Sequence, residues 1–204
     1  MESNSSSDSE TILRFWFGEE AGDVAIAERQ AGLWWGKNPE LDRDMRRRFA
    51  ALLPDPAGAA PDLGQAGARD RLAMIILLDQ FPRNIYRGQK EAFAWDGLAQ
   101  QQARAAYALG DETQLRPIER VFLYMPFEHA ENLELQELAV QRFTSLAAAV
   151  PTRVRVVFDG YRDYAVRHRD IIARFGRFPH RNAVLSRLST AEEEDFLRQP
   201  GSSF

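Results

Sequence analysis

The side chains best suited to chemistry gather in two segments of similar layout, FPRN at Phe81–Asn84 and FPHRN at Phe178–Asn182. Arg83, Arg87, Arg177 and Arg181 offer planar guanidinium forks that match a carboxylate or a phosphate. Asn84 and Asn182 add amide donors. Asn182 can also cap a following helix, whose first backbone N–H groups would then face an anion. The same residues support a structural reading: the arginines cap helix carbonyls or pair with acids such as Asp79, and the asparagines serve turns and caps.

The three histidines are His129, His168 and His180. His129 follows Glu128 and lies near Glu131, and a carboxylate beside an imidazole can orient it for proton transfer. The competing reading is an exposed first-turn pair that complements a helix dipole. His168 falls on an apolar stripe and reads as a hydrogen-bonded core residue. His180, within the arginine-rich segment, is the histidine best placed to touch a ligand. No His-x-x-x-His or helical Glu-x-x-His spacing occurs, and there is no cysteine, so neither a metal nor another cofactor is expected. A Gly-x-Ser-x-Gly elbow and a Gly-rich phosphate loop are also missing. Trp34 and Trp35 adjoin on a helix and cannot both face one way; Trp34 is assigned to a cleft.

Helices must position these groups. Met1–Asp8 reads as a disordered, serine-rich lead-in, and residues 9–204 as one all-α domain. Asp8 or Ser9 caps a helix that Gly18 ends. Further helices are predicted over Asp23–Trp35, Pro39–Leu53, Arg69–Gln80, Ala92–Leu109, Leu115–Met125 and Glu128–Ala149, with Pro54–Gly67 as a surface loop. Arg69–Gln80 is apolar on nearly every side and belongs in the core. Pro82 disfavours helical geometry at Phe81, so Phe-Pro is expected to form a stiff, extended exit. After Pro151, a stripe from Val154 to Phe175 marks an amphipathic helix that Gly176 ends. Asn182 can open a short helix, and Ser189 or Thr190 another. No convincing strand alternation appears, which predicts a bundle or array of about eight or nine helices. There is no repeat at the tetratricopeptide period.

WFG (Trp16–Gly18), LLDQFPRNIYRG (Leu77–Gly88), ERVFLYMPFEHAE (Glu119–Glu131) and RHRDIIARFGRFPHRN (Arg167–Asn182) resemble the hallmarks of a bacterial family of unknown function, domain-of-unknown-function family 924. The resemblance covers the chain after residue 10. Trp95 in FAWD, Ala130 and Asn132 in HAEN, and Ser186 in LSR are small departures. The resemblance implies a tetratricopeptide-like array of antiparallel helix pairs and carries no activity with it.

Composition narrows the function classes. At 204 residues the chain is long enough to bury a sizeable core without staples. The absence of cysteine, an acidic N-terminus unlike a signal peptide, and an apolar run (Ala73–Leu78) far short of the roughly 20 residues that cross a bilayer point to a cytoplasmic, non-membrane protein. A net charge of −4 argues against a general nucleic-acid binder. Arg167–Arg187 nonetheless holds six arginines against one acid, Asp170. The expected function is a pocket for an anionic small molecule or acidic peptide end, formed by the two Phe-Pro segments with Arg83, Asn84, Arg87, Arg177, His180, Arg181 and Asn182. The alternative is a hydrolytic or proton-transferring enzyme using His129 with Glu128, or His180, with arginine stabilising negative charge. A homodimer through an exposed aromatic face is left open.

Overall fold

Nine α-helices follow one another among the residues that the computed structural model describes, 3–59 and 61–202, and no strand occurs among them. They are α1 (Ser3–Phe17), α2 (Asp23–Trp34), α3 (Pro39–Phe49), α4 (Ala68–Ile85), α5 (Asp96–Ala108), α6 (Pro117–Glu128), α7 (Leu133–Ala149), α8 (Arg155–Phe175) and α9 (Ala191–Leu197). Helix α1 reaches back to Ser3, further than the expected start at Asp8 or Ser9. Once its packed half is nucleated, a helix extends by one hydrogen bond per residue, which offsets weak propensity.

Helix α4 is the axis of the molecule. It touches α1, α3, α5 and α6, while α7 packs against both α6 and α8. Leu72, Ile75, Ile76, Leu78 and Phe81 are all buried, as the all-round apolar pattern predicts. An aromatic cluster joins α1, α2, α3, α4 and α6. Trp16 lies 5.6 Å from Phe81 and 5.4 Å from Phe122, and Phe49 lies 4.9 Å from Phe81 (ring centroids). Gly18 ends α1 with φ of 70°, a left-handed conformation that glycine adopts without a Cβ penalty.

The Phe-Pro exit from α4 is not extended. The helix runs through Pro82 and ends at Ile85. A proline inside a helix forfeits one hydrogen bond and crowds the preceding turn, at about 3 kcal/mol. Continuing the helix buries Phe81 and Ile85 in the aromatic core, and burial of two such side chains at about 1.5–3 kcal/mol each offsets that loss. Pro126 sits in the last turn of α6 in the same way. The second Phe-Pro segment is a connector, as expected. Gly176 closes α8 at φ 69°, Phe178 is extended, and Pro179 opens a short 3-10 turn through Arg181. Thr190 caps α9, its hydroxyl accepting from the Glu193 N–H.

The loop between α3 and α4 is tied down by side chains from the helices around it. Arg71 pairs with Asp111 at 2.5 and 2.7 Å and donates to the Leu63 and Ala66 carbonyls. Trp95 Nε1 donates to the Pro54 carbonyl and Gln102 to that of Pro61.

Candidate functional site

The continuation of α4 through Pro82 places Arg83 one turn beyond Asp79 on the same helix face. Arg83 donates to the Asp79 carbonyl at 2.7 Å and lies 3.6 Å from its carboxylate. Its fork also closes on Asp96, the first residue of α5, at 2.8 and 3.1 Å. Arg181, from the second Phe-Pro segment, donates to the same Asp96 carboxylate at 3.3 Å. The two segments, almost a hundred residues apart in the chain, therefore meet on one carboxylate. Phe93 flanks both guanidiniums, 5.7 Å from that of Arg83 and 4.7 Å from that of Arg181. The Phe178 ring lies 4.4 Å from the Arg181 guanidinium. Arginine stacks well on aromatic faces because its planar cation is weakly hydrated.

The histidines fall around this corner. His129 Nδ1 lies 2.9 Å from both oxygens of Asp79, the carboxylate beside Arg83. The sequence pairing of His129 with Glu128 is thus corrected. Glu128 is the partner of His168 instead, at 3.0 Å. Residues 128 and 129 lie about 100° apart around a helix, so neighbours in sequence face different ways. His168 is buried, as expected of a core residue, and its Nδ1 is also 2.9 Å from the Tyr164 carbonyl. Its ring is 6.2 Å from that of His129 and 5.5 Å from Phe178, which in turn lies 5.6 Å from the ring of His180.

Burial sets the protonation states. Asp79 would be raised by burial, but the Arg83 guanidinium and His129 hold it well below the ordinary carboxylate range. Burial and then Arg83 lower His129, against the opposing pull of Asp79. Both directions favour an ionised Asp79 accepting a hydrogen bond from a neutral imidazole. Burial, followed by Arg181 and His168, lowers His180 to about 3. Burial also pushes Arg181 down, to about 10, despite Asp96. Its Nε is buried and makes no hydrogen bond among the described residues. The corner is not sealed: the side chains of Arg83, Asp96 and His129 keep 18%, 14% and 16% of their exposure.

The other predicted residues stand behind or away from this corner. Arg87 grips Asp42 of α3 at 2.9 and 3.1 Å and is held by Asn84 at 3.0 Å, so both brace α3 against α4. Arg177 forks onto Glu193 of α9 at 2.6 and 2.8 Å. Asn182 does not open a helix; it follows the 3-10 turn, and its amide donates to Ser189 and Glu193. Arg187 binds Glu131 at 2.6 and 2.9 Å, and Glu131 accepts from the Phe178 N–H at 2.8 Å. These contacts clamp the connector so that Arg181 is aimed inward. Trp34 faces no cleft. It lies in the core, its Nε1 donating to the Trp16 carbonyl at 2.9 Å, and Trp35 is the exposed member of the pair.

Asp96 and Phe93 escape a reading of the sequence. Asp96 looks like any acid at a helix start, where the dipole favours it, and nothing local marks its arginine partners. Among the described residues no group of three or more His, Asp or Glu side chains is arranged to hold a metal ion, and no helix is long and apolar enough to cross a membrane. A groove of about 620 Å³ lies elsewhere, lined by Glu10, Arg14, Phe17, Arg69, Arg116 and Glu119 among others. Its arginines are paired: Arg69 with Glu10 and Glu119, Arg116 with Asp23.

Fold and site together define an all-helical protein whose two Phe-Pro segments converge on one buried cluster of arginine, histidine and carboxylate. The chain belongs to the family described as bacterial protein of unknown function, DUF924, whose model matches residues 12–201. It is similar to a solved protein of unknown function, ATU0120 from Agrobacterium tumefaciens, at 33% identity and a TM-score of 0.75, over 95% of this chain and 98% of that one. No curated protein matches it.

Proposed function

We propose that this protein binds a small anionic molecule at the corner between the last turn of α4 and the Phe178–Asn182 connector. One observation carries the reading: Arg83 and Arg181, from distant parts of the chain, are directed at a single carboxylate that is not fully buried. Ion clusters of this kind are a poor source of stability, since apolar replacements of similar volume often do as well or better. A cluster that converges, stays partly open and leaves the Arg181 Nε unbonded fits ligand capture better than scaffolding. The acidic end of a peptide is an occupant of the same chemistry.

The reading is tested by titrating the full chain with acetate, benzoate and phosphate, followed by calorimetry and thermal shift. Arg181→Met keeps the side-chain volume and leaves Arg83 to neutralise Asp96. It is expected to keep the fold and to weaken anion binding by roughly tenfold to a hundredfold, the worth of one charge-assisted contact. Wild-type protein that responds to none of these anions at millimolar concentration would sink the proposal.

A second reading, proton-transfer catalysis on the bound anion, draws on the Asp79–His129 pair. A buried carboxylate that accepts the Nδ1–H hydrogen bond leaves the opposite ring nitrogen, Nε2, as a base, and the arginines would stabilise developing negative charge. It requires His129 to carry its proton on Nδ1 at neutral pH, a state that nitrogen-15 NMR reads directly.

A further inference from the structure

The way Asp96 occupies the two arginines defines what an external ligand must look like. Two guanidinium charges, Arg83 and Arg181, face two carboxylates, Asp79 and Asp96, and the neighbouring acids are engaged elsewhere, Glu128 by His168 and Glu131 by Arg187. Asp79 is locked: it is 1% exposed and held by Gln80, His129 and Arg83. Asp96 is not locked in this way. It is the first residue of α5, is partly exposed, and has exposed Gly97 beside it. Its side chain has a single χ1 torsion to turn for the carboxylate to leave the arginines, a change that would not require the helix to move. Its departure leaves two positive charges against one negative.

Resting on the anion-binding reading, we propose that the ligand is a monocarboxylate that takes the place of the Asp96 side chain, which acts as a displaceable internal stand-in for it. One negative charge restores the balance at this corner, whereas a phosphate dianion overfills it by one. A carboxylate also reproduces the planar geometry that the Arg83 fork already accepts at 2.8 and 3.1 Å. The Phe93 and Phe178 rings beside Arg181 favour a ligand whose remaining part is uncharged. While Asp96 holds the arginines, only a fraction of the molecules is competent, so apparent affinity is lowered by that fraction.

Removal of the stand-in is therefore expected to tighten binding. The experiment compares wild type, Asp96→Ala and Asp96→Asn in thermal shift and calorimetry with formate, acetate, benzoate and phosphate. Expected is an Asp96→Ala protein with a lowered melting temperature that formate or acetate restores, with carboxylate affinity about tenfold or more above wild type and little response to phosphate. The isosteric Asp96→Asn decides the matter should the alanine protein fail to fold, since it keeps the volume and removes the competing charge. Adding Arg181→Met to either variant is expected to abolish the rescue. If wild type binds anions and the Asp96 variants bind them equally or more weakly, or prefer phosphate, the stand-in is wrong and the anion site survives. If no variant responds to any anion, both fall.

Discussion

Asp79 serves two partners at once, the Arg83 guanidinium at 3.6 Å and the His129 ring at 2.9 Å, in a setting 1% exposed to solvent. With Arg83 so close, a second positive charge on His129 is disfavoured, and burial adds to the penalty. Both effects favour a neutral imidazole, its Nδ1–H donated to a carboxylate that also accepts from Gln80 at 2.6 Å. The expected NMR result at pH 7 is a neutral His129 in the Nδ1–H form that titrates below the ordinary histidine value of about 6.5. A ring protonated at pH 7, or carrying its proton on Nε2, excludes it as a base of the kind described above. Arg181 shows the complementary case. Burial first, and then the nearby Arg83 that shares its carboxylate, hold it less firmly charged than a surface arginine.

At the scale of the element, the site depends on how two helices end. Helix α4 ends late, beyond Pro82, which keeps Arg83 in helical register with Asp79. Helix α8 ends sharply at Gly176, whose φ of 69° turns the chain back so that Phe178 reaches the core and Arg181 reaches Asp96. A Cβ at position 176 would meet nothing within 4 Å, so the effect of a larger residue there is purely conformational. Gly176→Ala is expected to destabilise the protein by about 1–2 kcal/mol, the left-handed penalty for an L-residue, as measured by urea unfolding. It should also weaken anion binding, because the connector that carries Arg181 starts there. A neutral effect on both would show that Glu131, Arg187 and Glu193 alone set the connector's path.

Across the whole molecule, buried histidines make stability depend on pH. His129 and His180 both have folded-state values below their unfolded ones, His180 at about 3. As pH falls through about 6.5, the unfolded chain takes up protons that the folded chain refuses, so stability is complete above that value and is lost below it. Each histidine contributes a slope of up to about 1.4 kcal/mol per pH unit. Asp79, depressed as well, adds its own loss below about pH 4, where the unfolded carboxylate protonates. The melting temperature is expected to fall steadily from pH 7 to pH 5, and His180→Gln to flatten that fall. A wild-type profile level across this range would mean that both rings stay solvated enough to protonate in the fold.

Local chemistry was enough to read the helical class, the buried α4 and the glycine that ends α8, because periodicity and left-handed glycine depend on residues a few positions apart. The concentration of function-bearing types in FPRN and FPHRN was legible for the same reason. What each member does was not. Arg83, Arg87, Arg177 and Arg181 are the same residue in similar contexts, yet Asp42 holds one and Glu193 another, while the remaining two share Asp96. Glu128 and His129 adjoin in sequence but serve different partners, and Pro82 stays helical because tertiary burial of Phe81 and Ile85 outweighs a local preference. Partner choice among identical charges is decided by which helix lies opposite, across separations of 13 to 85 residues around Asp96, and only the tertiary structure supplies that.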